Sequence, residues 1–186
     1  GTQKNQTYVS VGAVNARGII QNNDLDRYNF SVRNTTSMLN DKLTMDLSFM
    51  YSNVKEQNML SQGEYANPLV PVYLFPRGDD FSKYQYYERY DVDRNIKTQF
   101  WPLKENGLSM QNPYWITNRN MYTNKKDRFL ASGSLKYTIT DWLNVSGRVK
   151  LDKETINSEK KMYASTLNVI AENSDKGAYV QSNKNT

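Results

Sequence analysis

The stretch Leu43-Thr44-Met45-Asp46-Leu47-Ser48-Phe49-Met50-Tyr51-Ser52 alternates with a period of two. Leu43, Met45, Leu47, Phe49 and Tyr51 are apolar, and Thr44, Asp46, Ser48 and Ser52 lie between them. Successive side chains of a β-strand point to opposite faces, whereas an amphipathic helix needs apolar residues three and four apart, so the stretch reads as a strand with one apolar and one polar face. The pattern recurs on either side. Phe129, Ala131, Gly133, Leu135, Tyr137 and Ile139 oppose Leu130, Ser132, Ser134, Lys136 and Thr138; Leu143, Val145, Gly147, Val149 and Leu151 oppose Asn144, Ser146, Arg148, Lys150 and Asp152. Tyr28, Phe30 and Val32 against Asn29, Ser31 and Arg33 form a shorter version, and Tyr8 to Val14 reads as a first strand with weaker alternation. The fold class is all-β, an antiparallel meander.

The links between these strands are of two kinds. Leu39 to Leu43 and Ile139 to Leu143 are tight hairpin connections. The others are long: Ala16 to Arg27 with Gly18 and a polar run, the excursion from Glu56 to Lys126, and the stretch beyond Ser158. Compact soluble domains favour connections of about 4–6 residues, and short turns at one end with long loops at the other is the layout of an outer-membrane barrel. The expected organisation is therefore barrel strands over 1–57 (three, two of them hairpin-linked), a long loop over 58–126, a barrel hairpin over 127–157 and the start of a further outer loop over 158–186.

Composition limits the chemistry. The 186 residues contain neither cysteine nor histidine, which removes disulfides, thiolate nucleophiles, histidine bases and most zinc or copper sites. Twenty-four Lys and Arg against nineteen Asp and Glu give +5, scattered rather than clustered, so no nucleic-acid partner is expected. No run approaches the ~20 apolar residues of a membrane-spanning helix. The mean hydropathy of -0.81 does not exclude a membrane β-barrel, whose strands spend alternate residues on a wet interior.

Two all-β arrangements fit the alternation. In a free-standing β-sandwich, a carbohydrate-binding module for instance, the apolar faces close on each other and the polar faces meet water. In an outer-membrane barrel the apolar faces meet lipid, and Asp46, Lys136, Arg148 and Lys150 face the lumen. Strand length favours the barrel, because Leu43–Ser52 and Arg128–Ile139 match the ~9–11 residues of a tilted membrane strand. Trp142, beside a tight turn, suits an interfacial aromatic position.

The excursion holds all five prolines and thirteen aromatic residues, enough for a small ordered subdomain. Gly78-Asp79-Asp80 offers a helix N-cap, and the spacing predicts a short helix over Asp79–Tyr90. Asp91-Val92-Asp93-Arg94-Asn95 begins like a calcium loop, but Ile96 stands where the turn glycine belongs and Pro102 where the bidentate glutamate belongs. The carboxylates of the excursion have no fixed pairing that would point to glycoside hydrolysis. Neither an enzyme nor a resident cofactor or metal is expected.

Asn67-Pro68-Leu69-Val70-Pro71-Val72-Tyr73-Leu74-Phe75-Pro76-Arg77-Gly78-Asp79-Asp80-Phe81, with Tyr87-Glu88-Arg89-Tyr90, Thr98-Gln99-Phe100-Trp101-Pro102 and Gln111-Asn112-Pro113-Tyr114-Trp115, resembles the barrel region of SusC/RagA-type TonB-linked outer-membrane proteins of Bacteroidetes. Ser132 to Tyr137, Thr140 to Val145 and Lys160 to Ser165 resemble the hairpin and outer loop that follow. The resemblance runs from Tyr8 to about Thr166. It implies a segment of an outer-membrane importer of glycans or, in some members, peptides, built as a plugged barrel of about 22 strands. Implied partners are a SusD-like surface lipoprotein acting as a lid, the TonB complex through parts of the parent protein not found in this sequence, the nutrient itself and the lipid bilayer. Tyr73, Phe75, Arg77, Trp101 and Trp115 are the expected loop contacts to nutrient or lid.

Overall fold

The computed structural model describes residues 1–59, 63–102, 110–171 and 176–186. The parts of the two outer loops at 60–62, 103–109 and 172–175 lie outside the described residues. Six long strands form one antiparallel sheet: β1 (Asn5–Arg17), β2 (Asp24–Met38), β3 (Leu43–Gln57), β6 (Asn120–Thr140), β7 (Leu143–Met162) and β8 (Ala178–Asn185), each beside its predecessor in the chain. A separate hairpin, β4 (Glu88–Asp91) and β5 (Ile96–Gln99), lies in the excursion with two short helices, α1 (Leu69–Tyr73) and α2 (Pro113–Arg119).

The register carries the alternation from strand to strand. Val9 pairs with Val32, Val32 with Phe49, Phe49 with Ala131 and Ala131 with Leu151, so the apolar positions of five strands share one face. Phe30, Phe49 and Phe129 pack edge to face across it, with ring centroids 6.1 and 5.0 Å apart. The tight links hold because Leu39, Asn40 and Asp41 accept left-handed φ of 54°, 55° and 67°, with Ser37 Oγ donating to Asp41 at 2.6 Å. The second tight link follows a register shift between Thr138 and Thr140.

All long links leave the opposite end of the sheet. There the excursion folds into a cap, and the molecule's packed interior lies in that cap. Among the described residues no position of any strand is buried; Trp115, Gln111, Asn112, Thr166 and Ala171 are enclosed, all in the excursion or the β7–β8 link. The apolar face packs against no second sheet: Val11, Val149, Val145 and Leu135 are 75%, 76%, 58% and 52% exposed. The closed core of the sandwich alternative is therefore missing.

Three expectations need correcting. The predicted helix over Asp79–Tyr90 is a single 3-10 turn at Phe81–Gln85, because Asp80 caps it through Ser82 N at 2.9 Å but Glu88–Asp91 pairs with β5 instead of continuing it. The loop expected over 58–126 ends earlier, since β6 starts at Asn120 and pairs with β7 as far as Met162, beyond the 157 boundary. The stretch 158–186 carries a sixth strand, with β8 paired to Thr155–Met162. In the last two cases pairing between distant segments makes strand of residues with no alternation of their own, and in the first a local hairpin ends the turn.

Candidate functional site

Two features can meet a ligand or partner: the polar face of the sheet, and the capped end above it. Asp46 lies opposite Ser134 and Ser134 opposite Arg148; Lys136 lies opposite Thr44, and Lys150 opposite Ser132. The four polar-face residues expected from the alternation thus share one face. That face is knitted across strands. Arg33 donates to both oxygens of Asp46 at 2.6–3.3 Å, Thr35 donates to Asp46 at 3.1 Å, and Ser48 and Ser132 bond at 2.8 Å. Arg128 forks onto Asp152 at 3.0 and 2.8 Å, and Lys126 lies 2.9 Å from Glu154. Bidentate arginine pairs fix geometry, though exposed pairs are worth only about 0–1 kcal/mol each.

In the cap, three amides organise the packing. Asn112 Nδ2 donates to Tyr84 O at 2.8 Å and Phe100 O at 2.9 Å, while its Oδ1 accepts from Tyr114 N at 2.8 Å and caps α2, whose first residue is Pro113. Gln111 bridges Tyr65 O and Leu167 N, both at 3.1 Å. Gln99 holds Ser165 through two bonds, at 3.1 and 2.9 Å, and accepts from Asn112 N at 3.3 Å. These bonds sew the excursion to the β7–β8 link. Nothing in the periodicity marks these amides; the proline after Asn112 was the available signal, as a helix start.

The expected loop contacts divide. Tyr73 is 84% exposed and Arg77 is exposed. Phe75 is half-buried in a cluster with Phe81, Tyr84 and Trp101 at 5.0–5.6 Å. Trp101 and Trp115 are corrections: they are 7% and 0% exposed, so neither ring presents a face. Trp115 fills the cap interior and donates to Thr166 Oγ1 at 3.1 Å. Trp101 closes the Phe75 cluster, and its indole N–H meets no acceptor. Prolines beside both tryptophans turn the chain inward instead of displaying the rings. The stretch that begins like a calcium loop is the β4–β5 turn, where Asp91 Oδ1 accepts from Asp93 N and Arg94 N at 3.1 Å.

The hairpin is clamped to the cap by one carboxylate. Glu88 accepts from Lys97 Nζ at 2.6 Å and from Arg119 Nε at 2.8 Å, and Arg119 lies 4.7 Å from the Tyr163 ring centre. Burial pushes the Glu88 carboxyl up, but the bonds from Lys97 and Arg119 outweigh it and hold the group below its usual range. A carboxyl lowered by folding stabilises the folded state above its ordinary value of about 4.3, and loses that contribution as pH falls through the lower folded value. Protection of the β4 and β5 amides, measured against their intrinsic exchange rates at each pH, is expected to fall on acidification in that window, and Glu88→Gln to remove that pH dependence at a cost of about 1–2 kcal/mol. Identical pH profiles for the two chains would refute the clamp.

Between the cap and the polar face lies a cavity of about 660 Å³. Asn120, Tyr122, Lys160, Met162 and Val180 contribute from the strands, on the face that Arg128 shares by register; Ile116 and Thr117 come from α2. This was not legible in the sequence, because its walls come from segments far apart in the chain. Compared with protein-family models and with curated proteins, the chain matches none.

Proposed function

We propose that the chain is a wall segment of an outer-membrane β-barrel belonging to a TonB-dependent nutrient importer of SusC/RagA type. In this reading the apolar face meets lipid, the polar face lines the lumen, and the cap belongs to the outer mouth, where a SusD-like lid and a glycan or peptide nutrient would be met. The observation that carries the membrane part is the slant of the apolar band. Its upper limit runs Ala13, Tyr28, Tyr51, Phe129, Leu151; Ala13 pairs with Tyr28 and Tyr51 with Phe129, but Tyr51 lies two residues below the partner of Tyr28, and Leu151 two below the partner of Phe129. Four residues of descent over four strand steps is about 13 Å along the strands in about 19 Å across them, a tilt of about 35°. Barrel strands tilt by about 35–45° to the bilayer normal, so a level bilayer would cut this sheet along that slant.

Chemistry at the band's edge supports the same reading. Tyr51 Oη donates to Asp127 at 2.7 Å, and Tyr28 Oη accepts from Asn15 at 3.0 Å, so both rings sit in the apolar rows with their hydroxyls in the first polar row above. At the opposite end Trp142 is 82% exposed beside the tight turn. Such flanking aromatics mark membrane interfaces. The nine residues Leu43–Tyr51 span about 26 Å, and about 22 Å when tilted, close to the roughly 25 Å apolar band of barrels.

This chain contains no cysteine of its own, so a cysteine placed in it is its single label site once any elsewhere in the parent are replaced. With single cysteines introduced in the parent protein in vesicles, Val149→Cys, Leu135→Cys and Val11→Cys should resist water-soluble thiol reagents and respond to lipid-borne quenchers. Arg148→Cys and Lys136→Cys should behave oppositely. Equal aqueous labelling of both sets would sink the proposal.

A further inference from the structure

We propose that the cavity under the cap binds a ligand with an aliphatic body and one carboxylate head, with Lys160 as the counter-ion of the head. The lining is mainly apolar: Ile20, Met59, Ile116, Met162, Ile170 and Val180 supply hydrocarbon. Lys160 is the one cation among the described lining residues. Two lysines near it on the same strand pair are held by carboxylates, Lys126 by Glu154 at 2.9 Å and Lys161 by Glu159 at 3.2 Å. Among the described residues Lys160 has no carboxylate within ion-pair reach, and its ammonium rests 5.3 Å from the centre of the Tyr122 ring. An ammonium over a ring face at the edge of an apolar cavity is a site for an anion.

Asn120 belongs to the same lining. Trp115 N–H can only donate, so Thr166 Oγ1 accepts it and must direct its own proton to Asn120 Oδ1 at 2.7 Å. That fixes the Asn120 amide, and its Nδ2, buried, has no partner among the described residues. Burying an unpaired donor costs about 1–3 kcal/mol, and a small movement of the wall that let a ligand acceptor reach it would offset that cost. The only lining carboxylate among the described residues is Glu64, exposed on the segment that follows β3. A neutral oligosaccharide fits less well: it needs open ring faces and many polar partners, and here Lys160 covers Tyr122.

The inference names a ligand class for the capped end. It rests on the wall reading only for the source of the ligand, at the outer mouth. Dansyl-labelled undecanoic acid, titrated against the full chain, should give saturable fluorescence enhancement. Binding should weaken about tenfold for its methyl ester and for Lys160→Met, as loss of one charge-assisted contact implies, and stay unchanged for Lys161→Met, whose side chain leaves the other face. Met162→Trp, which fills the cavity, should abolish saturation while leaving thermal unfolding unaltered. Equal binding of acid and ester, or no change in Lys160→Met, would mean partition onto the exposed apolar face and overturn the proposal. So would displacement by a neutral oligosaccharide but not by decanoate. Those failures leave the cysteine pattern of the wall untouched, and loss of that pattern leaves the charge dependence of binding untouched, so the two readings fall separately.

Discussion

Replacing Asn112 with alanine is expected to unfold the cap while leaving the six-stranded sheet in place. The side chain is fully enclosed and makes three bonds, two donated to the carbonyls of Tyr84 and Phe100 and one accepted from Tyr114 N. Alanine would strand two carbonyls away from water and remove the N-cap of α2. At about 1 kcal/mol for the cap and about 1–3 for the buried polar groups left unpaired, the loss is about 2–4 kcal/mol. Few other contacts share the load, since α2 spans only seven residues and the cap interior is small. Asn112→Asp is the sharper variant, because it keeps the acceptor for Tyr114 N and turns the two donor contacts into repulsion between oxygens; it should be no better than alanine. Hydrogen exchange read by segment checks this: protection should fall across 84–119 and 163–171 and persist across the paired stretches of β2, β3 and β6. Uniform loss would mean that the sheet depends on the cap, and unchanged protection would mean that the amide network does not hold the cap.

Leu47→Arg is expected to cost about 2–4 kcal/mol of folded stability in a bilayer, whereas Ser48→Arg, one residue away, should stay within about 0.5. Leu47 is the middle of the five apolar positions of β3 and is 46% exposed on the apolar face; Ser48 points to the polar face, bonded to Ser132. Leu47 lies opposite Gly133 on one side, where a Cβ would meet the leucine side chain at 3.2 Å, and opposite Asn34 on the other, whose amide already donates to Asn5 and Thr7, so no carboxylate stands opposite the arginine. Urea titration of the parent protein refolded into vesicles, followed by far-ultraviolet circular dichroism, measures both. Equal costs for the two variants would count against lipid on the apolar face, because water on both faces penalises neither substitution strongly.

Much of the sheet was legible in the sequence because a period of two is a local property. In β3, β6 and β7 each residue's face follows from its parity, and the register then only aligns faces already defined. That is why Asp46, Lys136, Arg148 and Lys150 fall together. The strand extensions were not legible. Asn120 to Lys126 and Ser158 to Met162 do not alternate apolar with polar residues, so periodicity is silent there, and pairing with each other makes them strand. The rings of the excursion were legible as an ordered subdomain but not as inside or outside. Trp101 and Trp115 beside prolines read equally as display and as packing until the amides of Gln99, Gln111 and Asn112 draw the chain around them.

The sequence by itself determined a two-faced antiparallel sheet with tight turns at one end and long links at the other, because alternation and turn chemistry act between near neighbours. Tertiary structure decided the rest. Which rings are buried, how the apolar band slants, and that Lys160 lines a cavity beside the Tyr122 ring all depend on residues tens of positions apart arriving side by side. Only cross-strand register and packing bring them there.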